Sequence, residues 1–151
     1  MPGSKRQLPL YTLSVASQLS GVSTHSIRQY IDKGVIIPFK TESARHLFSD
    51  VDVIRLKSIK NDIQVHGLNM AGIKRAMAQT PCWLIKGCTK EEQNNCDAFK
   101  SYDQPCWAVE KKSGDCQDLN CHDCDVYGVV DRFDHLKDMF KTMAKIEFHQ
   151  S

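Results

Sequence analysis

The stretch YTLSVASQLSGVSTHSIRQYIDKG, residues 11–34, decides the fold. It predicts a short helix capped by Ser14 and a second helix from Thr24 to Lys33, because polar capping residues precede apolar residues at helical spacing. Gly21 permits a tight turn between the two helices, and Gly34 ends the second one because glycine readily takes the left-handed conformation found at helix ends. Two short helices joined by a glycine-containing turn are typical of a helix-turn-helix.

The residues that follow predict a wing and two further helices. Val35–Ile37 and Arg45–Phe48 are expected to be the strands of a small hairpin, with a polar connection between them. A third helix is expected from the capping-box-like start at Ser49, and a fourth over Asn69–Ala78. The expected fold class is therefore mainly α, with a winged helix-turn-helix over residues 11–80 and a small β-hairpin as its wing.

Charge divides the chain in two. Residues 1–77 carry 11 lysines and arginines against 5 aspartates and glutamates, a net charge of +6, whereas residues 78–151 carry 9 against 13, a net charge of −4. The first half therefore suits a polyanion such as DNA. The basic tail over residues 1–10 does not resemble a secretion signal, and no window reaches the roughly 18 apolar residues of a membrane span, so we expect a cytoplasmic protein with no membrane partner.

A set of landmarks runs without gaps through the first half of the chain. It consists of Tyr11-Thr12-Leu13, Gly21-Val22-Ser23, Ile27-Arg28-Gln29-Tyr30, Lys33-Gly34-Val35-Ile36, Leu47-Phe48-Ser49, Asp52-Val53, Leu56 and Gly67-Leu68. Taken together, these residues resemble the DNA-binding domain of the MerR family of transcription regulators, and the third segment is similar to the heat-shock-repressor branch. The resemblance implies a homodimer that binds double-stranded promoter DNA, with RNA polymerase as a further partner at the promoter. It leaves open whether the protein activates or represses.

The resemblance also implies which side chains contact DNA. The second helix would lie in the major groove with Thr24, His25 and Arg28 exposed, and Arg28 can form a bidentate contact with phosphate or guanine. The wing and neighbouring helices would contact the phosphate backbone. The alternatives are a surface ion pair for Arg28 and core packing for Tyr30. Arg45-His46 stands where family wings often carry an aromatic-arginine pair. The remaining predicted contacts are Tyr30, Arg45, His46 and Lys57.

Residues 81–125 form a cysteine-rich segment that we expect to be an irregular sensor module. The tripeptide Pro81-Cys82-Trp83 recurs as Pro105-Cys106-Trp107, so the segment contains a weak internal repeat. In a reducing cytosol such clustered cysteines are more often metal ligands or redox-active thiols than disulfides. Few aliphatic residues are available for a core, so a bound metal is expected to order the segment. The predicted metal ligands are Cys82, Cys88, Cys96, Cys106, Cys116, Cys121 and Cys124.

The spacing of these cysteines leaves several ligands open. Cys116, Cys121 and Cys124 form the tightest grouping, and Cys106 would complete four thiolates, enough for tetrahedral zinc or a four-iron cluster. The other three cysteines then need His122 or a shared thiolate, unless all seven surround a single site. We expect an iron–sulfur cluster, with Zn²⁺ as the alternative. Metal-free thiol switching and plain reduced thiols are further alternatives.

Residues 126–151 predict a C-terminal dimerisation helix. Their apolar residues recur at alternating steps of three and four, as in the seam of a coiled coil. The alternative is a helix that packs on its own domain. Because the cysteine module would lie between the DNA-binding head and the dimer interface, we hypothesise that changes in the module alter the spacing of two heads. The seam consists of Val126, Val129, Phe133, Leu136, Phe140 and Met143.

The sequence favours a DNA-binding regulator over an enzyme. It contains no C-x-x-C motif in a βαβ context, no glycine-rich phosphate loop and no Ser/His/Asp pattern. One alternative is a thiol or iron–sulfur redox protein with a DNA-binding-like front. Another is a phage-type excisionase-like DNA-binding protein, although such proteins usually lack a long cysteine module.

Overall fold

The computed structural model describes residues 8–113, 116, 121–124, 126–127, 137, 140–141 and 144. The predicted class, mainly α with a small antiparallel sheet, is confirmed. The elements, in chain order, are β1 (Tyr11–Thr12), α1 (Leu13–Ser20), α2 (Thr24–Asp32), β2 (Phe39–Lys40), β3 (His46–Phe48), α3 (Asp50–Gln64), α4 (Met70–Ala78), α5 (Cys82–Lys86), α6 (Lys90–Asn94) and α7 (Asp97–Lys100), with 3-10 turns at Cys106–Ala108 and Cys121–Asp123.

Local hydrogen bonds fix the two helices of the helix-turn-helix. Thr12 caps α1, so this helix begins at Leu13 and not after the predicted cap, Ser14. Ser23 caps α2 by accepting a hydrogen bond from the backbone N–H three residues further on. Gly34 follows α2 with a φ of +77°, a left-handed conformation that glycine adopts without steric strain. The helix-turn-helix therefore has the order and connection that the sequence predicts.

The wing belongs to a three-stranded antiparallel sheet with the strand order β1-β3-β2. Its hairpin joins β2 and β3, in which Phe39 pairs with Leu47. The prediction of a strand at Val35–Ile37 is wrong, because these residues pair with no strand of the sheet and form a connection whose first two side chains are buried in the core. Strand pairing starts only after Pro38, whose ring nitrogen has no hydrogen to donate to a neighbouring strand.

The two predicted starts of the following helices are confirmed. Ser49 and Asp52 form a capping box in which each side chain accepts a hydrogen bond from the other residue's backbone N–H. Asn69 caps α4 by accepting from the backbone N–H of Gly72 at 2.8 Å. Asp52 is fully buried, so its other carboxylate oxygen requires a donor from within the protein.

The cysteine module is more regular than the sequence predicts. It contains the three short helices α5, α6 and α7 and the two 3-10 turns. Helix α6 begins with a capping box formed by Thr89 and Glu92. These helices have four or five residues each, which is too short for helical periodicity to appear in the sequence.

The module shares its core with the winged head. Trp107 of the module and Tyr127, which follows just after its end, are buried in the same apolar cluster as Ile27 of α2 and Leu56 of α3. Two aromatic side chains therefore anchor this part of the chain on the head, and the ordering of the segment by a bound metal stays a prediction. Burial of large aromatic side chains contributes substantially to the stability of such a contact.

The predicted dimerisation helix over residues 126–151 lies mostly outside the described residues. Within it, Val126 and Tyr127 are helical and buried, and Phe140 is helical and exposed. Across the described part of the chain, no helix combines the length and apolar character needed to span a bilayer.

Candidate nucleic-acid interface and cysteine cavity

A groove lies between the start of α2 and the wing. Its volume is about 560 Å³. Two basic side chains, Arg28 from α2 and Arg45 from the wing, line it. The full lining is Thr12, Leu13, Ser14, Thr24, Arg28, Ala44, Arg45, His46 and Leu47.

The groove brings together four of the seven predicted DNA contacts. Two of them, Thr24 and Arg28, come from α2. The other two, Arg45 and His46, come from the wing. Arg28 and Arg45 are both solvent-exposed. An exposed guanidinium can form a bidentate hydrogen-bonded pair with phosphate or with the major-groove edge of guanine. The arrangement therefore suits an extended polyanion that lies across both elements.

The hairpin tip holds Arg45 through backbone bonds. Thr41 N donates to Arg45 O at 3.0 Å, and Arg45 N donates to Thr41 Oγ1 at 3.1 Å. Ala44, between them, has a φ of +61°, a left-handed conformation that a non-glycine residue adopts infrequently. This tight tip turns the chain so that the arginine lies at the groove.

The other predicted contacts lie elsewhere. His25 and Lys57 are exposed but do not line the groove. Tyr30 is buried, with 8% of its side chain exposed, and burial raises its pKa above the usual value. Tyr30 thus packs in the core beneath α2, which is the alternative to a DNA contact that the sequence left open for it. A contact between its hydroxyl and DNA stays a prediction.

Two polar residues of the groove were not among the DNA contacts predicted from the sequence. Ser14 and Thr12 flank the start of α1 and line the groove beside Arg28. Thr12 uses its side chain to cap α1, whereas Ser14 is exposed on the first turn. The signal available was their position at a helix N-terminus, where hydroxyls and backbone N–H groups commonly bind phosphate.

A second cavity, of about 30 Å³, lies in the module. All seven cysteines are free thiols, and all of them line this one cavity. The sequence left open whether the cysteines divide between two sites or surround one, and the structure brings them together. The thiols belong to Cys82, Cys88, Cys96, Cys106, Cys116, Cys121 and Cys124.

Neighbouring groups change the acidity of several thiols. The thiol of Cys106 donates a hydrogen bond to Cys82, which lowers the pKa of Cys82 to about 7. The same hydrogen bond, together with burial, raises the pKa of Cys106 far above its usual value. Burial raises the pKa of Cys116 to about 11. Lys112 Nζ lies 3.8 Å from Cys121 Sγ and donates to it. The cavity therefore pairs thiols directly and contains a cation that can offset thiolate charge.

The donors do not surround a single point. Among the described residues, no three histidine, cysteine, aspartate or glutamate side chains are placed to hold one metal ion. His122, which the sequence offered as an extra ligand, is not part of the cavity wall. Its ring stacks on Phe39 of the wing, with the ring centroids 3.7 Å apart.

Trp107 and Tyr127 connect the cavity wall to the head. Trp107 directly follows the cavity residue Cys106, and its Nε1 donates to the carbonyl oxygen of Gly34 at 2.7 Å. Gly34 is the residue at which the chain leaves α2. Tyr127 packs edge-on against Trp107, with ring centroids 5.1 Å apart. A change at Cys106 would therefore act directly next to Trp107, the residue that contacts the chain at the end of α2.

Tyr127 contacts two parts of the head at once, helix α3 and the connection between α2 and β2. Its hydroxyl donates to Asp52 Oδ1 at 2.7 Å and accepts from Ile37 N at 3.0 Å. The guanidinium of Arg55 lies 4.0 Å from the centre of the Tyr127 ring and 5.0 Å from that of Trp107, and it donates to the Tyr127 carbonyl oxygen. A cation over an aromatic face is attracted by the negative charge of the ring face. These contacts explain why the second half of the module is fixed to the head.

Comparisons with known proteins support the same description of the head. A family model described as MerR HTH family regulatory protein matches residues 11–80. The HTH-type transcriptional regulator GlnR of Bacillus anthracis is 37% identical over 95 residues, which cover 60% of this chain and 73% of that protein. GlnR of Bacillus cereus has the same identity and coverage. The putative heat shock protein HspR of Streptomyces coelicolor is 39% identical over 67 residues, 44% of each chain.

Proposed function

This chain belongs to the MerR family of helix-turn-helix regulatory proteins, and we propose that it binds promoter DNA as a homodimer and regulates transcription in response to a ligand of its cysteine cavity. Membership of this family supports the role of a DNA-binding regulator in general terms. The dimer, the promoter with its RNA polymerase, and the ligand are parts of the proposal.

The observation that carries the proposal is the groove between α2 and the wing. It combines the exposed N-terminal half of a recognition helix with a wing that presents Arg45 beside it. In this arrangement α2 would enter the major groove, where Arg28 can read guanine. Arg45 and His46 would contact phosphates on the flanking backbone and position the protein without reading sequence.

The cysteine cavity is proposed as the sensor because of what it touches. Cys106 and Cys124 belong to its wall, and a few residues beyond them Trp107 and Tyr127 contact the end of α2 and the start of α3. Occupancy of the cavity would favour one arrangement of these contacts over another. A ligand regulates only through such a difference in its affinity for two states. We propose an iron–sulfur cluster as the ligand, with Zn²⁺ as the alternative.

Dimerisation is proposed through the apolar seam of residues 126–151. At the start of this segment, Val126 is buried in the wall of the cysteine cavity and Tyr127 is buried against the head. A movement of the module would therefore also move the first turn of the dimerisation helix. Because two half-sites on DNA have a fixed separation, a small rotation of the heads would change affinity.

Fluorescence anisotropy with a labelled fragment from upstream of the gene tests the DNA-binding part. Arg28→Ala and Arg45→Ala should each weaken binding, whereas Lys100→Ala, which removes an exposed cation at the end of α7, should not. Binding should also weaken steeply as salt increases, because each phosphate contact releases counterions. Equal affinities for the two arginine variants and the lysine control would contradict the proposed interface.

A further inference from the structure

We infer that the seven cysteines form one binding site for a polynuclear metal–thiolate cluster, held jointly by both copies of the Pro-Cys-Trp repeat. The inference rests on the proposed function and deepens it, because it assigns the ligand to one site that both repeats hold together. It replaces two independent four-ligand sites, one for each repeat, by a single site that neither repeat can form alone.

Both copies of the repeat contribute to the same wall. The first copy supplies Cys82, Cys88 and Cys96, and the second copy supplies the other four cysteines. Cys82 of the first Pro-Cys-Trp motif and Cys106 of the second both belong to this wall. Corresponding cysteines of the two motifs therefore line one cavity.

The number and placement of the donors favour several metal ions over one. A structural zinc ion takes four ligands, so one ion would leave three of the seven thiols unused. Two separate four-ligand sites would need an eighth donor, and His122 stacks on Phe39 outside the cavity. Glu92 is a carboxylate in the wall, but among the described residues it does not join two of the thiols around one ion position. In the part of the chain that the structure describes, no three donors converge on one ion position. Thiols that are spread over a common wall suit a ligand with several metal atoms.

The surroundings of the thiols suit such a cluster. Apolar side chains of Trp83, Phe99 and Val126 form much of the remaining wall and limit access of water. Trp83 and Phe99 pack edge-on, with ring centroids 5.2 Å apart. Lys86, Lys112 and Glu92 also line the cavity. An apolar shell with a few charged groups is the type of environment that protects a thiolate cluster and sets its potential.

The same thiolates could bind a cluster of either of two metals, iron or zinc. Iron with inorganic sulfide would give a coloured iron–sulfur cluster, in which sulfide supplies most of the donors to each iron. Zinc alone would give a colourless cluster only if bridging thiolates brought four donors to each ion. The number of metal ions for each chain and the dependence on both repeats are expected in either case. Colour and acid-labile sulfide then distinguish the two supplies.

The experiment measures metal content in the full-length protein, purified without oxygen from cells supplied with iron and reconstituted separately with Fe²⁺ plus sulfide or with Zn²⁺. Wild-type protein should bind more than one metal ion for each chain, and X-ray absorption should detect metal–metal scattering. Cys88→Ser in the first repeat and Cys121→Ser in the second should each lose more than about four fifths of the bound metal. Asn94→Ser, an exposed position between two of the cysteines, should retain it.

Two results would overturn the inference. One is a cysteine variant that keeps about half of the metal, since this is the behaviour of two independent sites. The other is a wild-type protein with no metal–metal scattering or with at most one metal ion for each chain. This second result does not depend on whether a variant folds. Anisotropy with Arg28→Ala is measured in parallel, so a failure of the cluster with intact, salt-dependent DNA binding counts against this inference and not against the DNA-binding part of the proposed function.

Discussion

Replacing Tyr127 by phenylalanine should lower the free energy of unfolding by about 3 kcal/mol. The hydroxyl that is removed donates to the buried Asp52 carboxylate at 2.7 Å and accepts from Ile37 N at 3.0 Å. Tyr127 is only 2% exposed, so water has little access to replace these bonds. A hydrogen bond to a charged group contributes about 1.5–3 kcal/mol, and a stranded backbone N–H adds roughly 1 kcal/mol. The aromatic ring and its contact with Arg55 remain in the variant.

Urea denaturation followed by far-UV circular dichroism measures this loss. The midpoint should fall while the dependence on urea stays the same, because the surface exposed on unfolding does not change. The melting temperature should fall by about 6–12 °C for a chain of this size. Tyr102→Phe is the matched control, since Tyr102 is 67% exposed and its variant should stay within about 0.5 kcal/mol of the wild type. If Tyr127→Phe matched this control, the hydroxyl would not join the module to the head.

Three further predictions concern the same surfaces. Arg28→Ala should cost about 1–3 kcal/mol of the free energy of binding to the preferred DNA site and reduce discrimination against mutated sites. Arg45→Ala should instead weaken binding to all sequences alike and lower the slope of log affinity against log salt concentration by about one. Titrations at several salt concentrations distinguish the two variants. Trp107→Phe keeps an aromatic ring but loses the bond to Gly34 O, so thermal unfolding should report a loss of about 1 kcal/mol. Burial raises the pKa of Tyr127 in the folded protein, so its contribution is fully present below the unfolded value of about 10 and is lost as the pH rises above it. Urea midpoints between pH 8 and 11 should therefore fall more for the wild type than for Tyr127→Phe, and equal slopes would contradict this assignment.

The winged head could be predicted because its signals are local. A capping side chain and the N–H that it accepts from are only three residues apart, so Ser23, Ser49 and Asn69 mark their helices in the sequence itself. The strand error at Val35–Ile37 has the opposite origin. A run of apolar residues indicates burial but does not distinguish a strand from a buried connection.

The attachment of the module could not be predicted in the same way. Trp107 bonds to a residue 73 positions earlier, and Tyr127 to one 75 positions earlier. No periodicity links residues at such distances. The shared cavity of the cysteines was one of the arrangements that their spacing allowed. Spacing alone could not choose it, because the chain between the cysteines folds into short helices and 3-10 turns.

Footprinting of metal-loaded and metal-stripped protein on the DNA upstream of its own gene tests the central claim most directly, since it examines DNA binding and sensing together. We predict that the loaded protein protects two half-sites separated by whole turns of the duplex, and that stripping the metal changes the extent or the spacing of this protection. Unchanged protection after stripping would contradict the sensory role of the cysteine cavity. An absence of salt-sensitive protection in both forms would contradict the claim as a whole.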